Sequence, residues 1–127
     1  MTKINWLKIL AAGFWIVVSE FIRNEFLFKS YWVDHFNSLN LTFETLPING
    51  LLWTVWSFGL AFLISKLLTK FSSRETIVIA WLTAFVLMWI TAFNLQVLPL
   101  PLLIFAIPLS LFEVWIATLI LKLAIKN

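Results

Sequence analysis

The chain has 127 residues, 62% of them hydrophobic and 12% charged, with a formal net charge of +3. A water-soluble domain of this size cannot cover so much apolar surface, so the medium around most of the chain is a lipid bilayer, and the small positive excess bears on orientation, not on nucleic-acid binding. Cysteine is absent, which excludes a disulfide frame, a thiolate metal site and a thiol nucleophile.

A span needs roughly 20 apolar residues, and the sequence offers four, at about 5–28, 49–68, 75–95 and 100–121. The first follows Lys3, contains Lys8 and ends in the more polar "SEFIRNEF". No small-residue cleavage site follows its apolar run, so it reads as a retained helix and not as a leader. Residues 29–48 make an outer loop in which Trp32, Phe36, Leu39 and Phe43 recur at helical spacing. That pattern predicts a short amphipathic segment on the membrane surface, capping the bundle. "TLPING" starts the second span with Asn49 as cap, and Ser73 with Thr76 caps the third. "LPLPL" stops the third span, because proline removes a donor and clashes with the turn before it. Pro108 lies inside the fourth span and is expected to kink it. The expected fold is all-α, one integral-membrane four-helix bundle over residues 1–127.

Seven of the nine basic residues, Lys3, Lys8, Lys66, Lys70, Arg74, Lys122 and Lys126, fall on one side of this topology. The positive-inside rule puts that side, with both termini, in the cytoplasm, and Asp34, His35 and Glu44 outside.

Residues three and four apart share a helix face, and each span carries one stripe of small or polar residues. The stripes are Gly13, Val17, Glu20, Asn24; Gly50, Thr54, Ser57, Ala61; Ala80, Ala84, Leu87, Thr91; and Ala106, Ser110, Glu113, Ala117. Small residues let helices approach in lipid and polar ones bond across them, so the stripes are expected to face each other.

Packing alone does not explain the charges. Glu113 lies nine residues before Lys122, about 13 Å deep and near the midplane. Glu20, Arg23 and hydroxyls such as Ser57 and Thr83 come within reach of that depth. A charge at the bilayer centre costs about 2.5–3.5 kcal/mol on insertion scales. One reading is an Arg23-centred buried network, with Glu113 or Glu20 as counter-charge, that fixes helix register. A second is a protonatable carboxyl in a polar cavity, used for proton coupling or cation binding. In a third, Glu113 faces a partner chain. The candidate polar core is Glu20, Arg23, Asn24, Ser57, Ser110 and Glu113.

Nothing else in the sequence points to chemistry. There is no glycine-rich phosphate loop, and the single histidine, His35, sits in the loop, far in depth from Ser57 or Ser110. No enzyme activity, cofactor or metal site is expected. Expected partners are the lipid bilayer and a second copy of the chain or another membrane protein.

With four spans, this length and a carboxylate, Glu20, in the first span, the chain resembles the small multidrug resistance transporters. That resemblance implies paired four-helix subunits in which Glu20 would exchange protons for cations. The surroundings of Glu20, "VVSEFIRNEF", depart from that pattern, and Glu113 has no counterpart in it. "FIRNEFLFKSYWVDHF" and "AIPLSLFEVWIA" are also similar to uncharacterised four-span bacterial membrane families, which implies location in the bacterial cytoplasmic membrane. Two functions are open: a proton- or cation-coupled transporter-like unit, or an accessory membrane subunit whose charges only fix packing.

Overall fold

The computed structural model describes residues 5–125, with side chains through Leu123; Lys3 and Lys126, two of the residues in the charge bias, lie outside them. The chain is all-α. Helix α1 covers Trp6–Ile22 and continues as a π-helical turn, Arg23–Leu27. Helix α2 (Lys29–Ser38) follows, then α3 (Pro47–Leu67). Helices α4 (Ser73–Trp81) and α5 (Leu87–Asn94) form one rod through a second π turn, Leu82–Val86. A short 3-10 turn, Leu100–Leu102, leads into α6 (Leu103–Ile125).

Local chemistry sets these ends. The Asn5 side chain accepts from the Lys8 backbone N–H at the start of α1. Pro47 occupies the first turn of α3, where a missing donor costs nothing. Asn49 therefore sits inside that turn and not at its cap, and its Oδ1 reaches back 2.9 Å to the Leu46 N–H. At α4 the cap is Ser72, one residue before the expected Ser73, because Glu75 completes the reciprocal pair. The α5 rod ends at Asn94, and Gln96 just beyond it takes the left-handed conformation at φ 63°, ahead of the prolines. Helix α6 runs continuously through Pro108.

Three rods are long and apolar enough to cross a membrane: Pro47–Leu67, Ser73–Asn94 and the region Leu100–Leu123. Their outward faces carry large exposed apolar side chains, such as Val55, Ile90 and Ile104. Apolar exposure on that scale needs a lipid surround, so the protein is a small polytopic membrane protein. Helix α1, which bears Lys8 and Glu20, packs against both α3 and α6, and α6 packs in turn against α4. The core at this centre is Ile16, Leu60, Ala61, Ile64, Ala80 and Ala117 with their neighbours.

The expected stripes divide in an instructive way. On α6, Ala106, Ser110, Glu113 and Ala117 are all buried. On the α4–α5 rod, Ala80 is buried but Leu87 and Thr91 face outward. The π turn adds one residue and rotates the remainder of the rod by about 100°, so Phe85 and Trp89 take the inner face instead. Gly50, at the start of α3, is also exposed.

Helix α2 packs at the start of α6. Tyr31 and Trp32 pack with Phe28 against Leu102 and Ala106 at the start of α6. Beyond α2, Phe43 folds back and stacks on Trp32, with ring centres 5.9 Å apart. His35 Nε2 lies 2.8 Å from the Gln96 carbonyl. A carbonyl only accepts, so the ring donates from Nε2 and pins α2 to the turn after α5.

Candidate buried charge cluster

Glu20 and Arg23 are three residues apart on one face of α1, with Arg23 opening the π turn. Arg23 Nη2 bonds to Glu20 Oε1. Asn24 Nδ2 donates to Glu20 Oε2 at 3.0 Å and to the Glu20 carbonyl at 3.0 Å. Both carboxyl oxygens of Glu20 are therefore satisfied from its own helix.

Glu113 approaches from α6. Its Oε1 lies 3.9 Å from Arg23 Nη2. The residue is 0% exposed within a single chain, so it does not face outward to a partner. Ser19 is close by, yet neither carboxyl oxygen of Glu113 has a hydrogen-bond partner among the described residues. Arg23 Nη1 is likewise without one. The guanidinium instead lies 5.1 Å over the Phe85 ring, a cation–π contact. Phe85 belongs to the second π turn. The two π turns of the described chain thus converge on Arg23, and π turns concentrate at functional sites.

The remaining candidates sit around this cluster. The Ser57 hydroxyl donates to the Trp53 carbonyl at 2.8 Å and lines a neighbouring cavity. Ser110 Oγ accepts from Trp81 Nε1 at 2.8 Å and donates to the Ile107 carbonyl at 3.0 Å, so it ties α4 to α6 and does not bond Glu113. Thr83, expected near Glu113, is exposed and donates to the Ile79 carbonyl on its own helix at 2.6 Å. The sequence reasoning missed Phe85, Ser19 and two tryptophans. Trp15 Nε1 donates to the Glu113 carbonyl at 2.9 Å, bracing α6 from α1, as Trp81 does from α4. The signal was available: a tryptophan away from the interface needs a partner for its N–H.

Beside the cluster, α1, its π turn, residues 43–46 and the start of α3 enclose a cavity of about 800 Å³. Glu20, Asn24 and Ser57 line its inner part, and Glu25, Lys29 and Glu44 lie toward the loops. Among the described residues no group of three or more His, Cys, Asp or Glu could hold a metal ion.

Chemically, the arrangement is an ion pair, Glu20–Arg23, whose carboxylate is satisfied on both oxygens, with a second carboxyl that shares the same cation poorly. No family model, curated protein or solved structure matches the chain. The described residues hold three helices long and apolar enough to cross a membrane, not four, so the likeness to small multidrug resistance transporters stays one of chain length and of a carboxylate in the first helix.

Proposed function

We propose that the chain is a proton- or cation-coupled transporter-like unit in which Glu113 gains and loses a proton beside the Glu20–Arg23 pair. One observation carries this reading: a fully buried carboxyl, beside a second carboxyl and an arginine already paired with that one, that makes no hydrogen bond of normal geometry among the described residues. A charge kept only for packing is normally satisfied, because an unsatisfied buried group costs stability. Such orphaned groups point to chemistry or to an occupant.

In this reading α1 is a fourth, charged span, both termini are cytoplasmic, and α2 lies outside. The charge bias supports the orientation. The packing of α1 against α3 and α6 supports its membership in the bundle. The cell membrane would be the bacterial cytoplasmic one, the working unit would include more than one copy, and no bond-making chemistry is involved.

The test is proton flux in sealed proteoliposomes with an internal pH dye under an imposed potassium diffusion potential. Protein-dependent flux is expected, and Glu113→Gln should abolish it while eluting as the parent does. Flux unchanged in Glu113→Gln overturns the reading.

A second reading is an accessory subunit whose charges fix register. It is favoured by the position of Arg23, which lies within ion-pair distance of carboxylates on both α1 and α6. It predicts stable association with a larger membrane protein and no flux from the chain alone.

A further inference from the structure

We propose that the cavity between α1 and α3 is an entry vestibule that admits small cations from the aqueous phase toward Glu20, from the loop side only. It rests on the reading of the charge cluster as a proton or cation site and names the route to it.

The first support is shape. The cavity begins at Glu44, Asn49 and Gly50 among the loops and reaches Val17, Glu20 and Ser57. Thr54, on its wall, is seven residues past Pro47, about 10 Å along α3. Polar groups therefore continue from the surface to the buried ion pair. The second support is sign. Glu25 pairs with Lys29 at 3.4 Å and Glu20 with Arg23, while Glu44 has no cationic partner among the described residues. The stacked rings of Trp32 and Phe43 and the ring of Trp53 also line the cavity, and aromatic faces attract cations. The third support is the opposite end. Past Val17 the helices meet through Ile9, Ala12, Ile16, Ala61 and Ile64, all buried and apolar, and such a packed region stays dry.

The absence of cysteine allows single cysteines to report access. Thr54→Cys and Val17→Cys place a thiol on the cavity wall, and Val55→Cys places one on the neighbouring lipid-facing surface, where Val55 is 63% exposed. Sealed vesicles of known orientation are treated on either face with membrane-impermeant methanethiosulfonates, one carrying trimethylammonium and one carrying sulfonate. Thr54→Cys and Val17→Cys should label from the loop side, with a preference for the cationic reagent about tenfold beyond that of a free thiol in solution. Both should outpace Val55→Cys and stay unlabelled from the other face, and Glu44→Gln should narrow the charge preference. Thr54→Cys labelling no faster than Val55→Cys overturns the vestibule. A charge preference no greater than that of a free thiol, or labelling from both faces, overturns its selectivity or its one-sidedness and hence the proposal. Labelling reads access and not turnover, so its failure and the loss of Glu113-dependent proton flux are separate results.

Discussion

The two ends of the bundle are built on opposite principles. Toward the turn between α3 and α4, the core is Ile9, Ala12, Ile64, Ala117 and Leu121, packed through regular α-helix. Toward α2, both π turns, the Glu20–Arg23–Glu113 cluster and the large cavity lie together. The first end takes its cohesion from close contact, which is what holds helices together when lipid removes the hydrophobic drive. The second gives up regular turns and full polar satisfaction. The contrast is between a close-packed apolar base and a polar region in which one cation is shared by two carboxyls.

The comparison breaks most sharply at Arg23. Replacing it by Gln leaves Glu20 and Glu113 buried with no cation beside them. Loss of one partner of a buried pair costs about 3–5 kcal/mol, so Arg23→Gln is expected to unfold at much lower temperature in detergent than the parent. A melt within two or three degrees of the parent would show that the cluster carries no such charge.

The base is expected to fail next, through packing. A methyl group on Gly13 would run into the Phe58 ring of α3, whereas one on Gly59 meets nothing within 4 Å. Overpacking costs about 1–3 kcal/mol. Gly13→Ala should therefore lower the melting temperature clearly and Gly59→Ala hardly at all, with Phe58→Leu in the Gly13→Ala background recovering part of the loss. Equal effects at the two glycines would deny that α1 and α3 are in close contact.

Much of the α6 packing face is legible in the sequence, and the reason is periodicity. The α6 stripe of Ala106, Ser110, Glu113 and Ala117 is buried throughout, and that helix stays α-helical past Pro108. On the α4–α5 rod the same reasoning reaches Ala80 and then picks the wrong side at Leu87 and Thr91. A π turn is stabilised by the side chains packed around it, here Phe85 against Trp56 and Arg23, and leaves no period in the sequence. Glu20, Arg23 and Glu113 could be brought together from depth alone. Their unequal sharing could not, since it depends on Asn24 reaching Glu20 and on Phe85 holding the guanidinium. His35 reads as a solvated side chain because its acceptor, the Gln96 carbonyl, lies far along the chain.

A smaller effect is expected at the tryptophan braces. Trp81→Phe removes the N–H that binds Ser110 but leaves the hydroxyl its bond to the Ile107 carbonyl. Polar pairs between membrane helices average about 0.6 kcal/mol, and the smaller ring also gives up part of the packing on Trp89. A shift of a few degrees in the melt is the expected result, and Ser110→Ala in the same background should add almost nothing. A large further loss from Ser110→Ala would mean that the hydroxyl serves another group.

The smallest stability change, and the most informative, is expected for Glu113→Gln. The amide fills the same space and replaces a titratable carboxyl that no hydrogen bond of normal geometry satisfies. The variant forfeits attraction to Arg23 at 3.9 Å, and that guanidinium is already bonded to Glu20. Relief of desolvation and loss of attraction oppose each other, so the variant should melt at or slightly above the parent. A cycle of Glu113→Gln, Arg23→Gln and the double variant separates the terms. If Glu113 is a proton site, Arg23→Gln should cost nearly as much in the Glu113→Gln background, because Glu20 still loses its cation. Coupling above about 1 kcal/mol would exceed the usual value for polar pairs in membranes. Glu113 and Arg23 would then be a structural bridge between α1 and α6, and the two ends of the bundle would differ in chemistry but not in purpose.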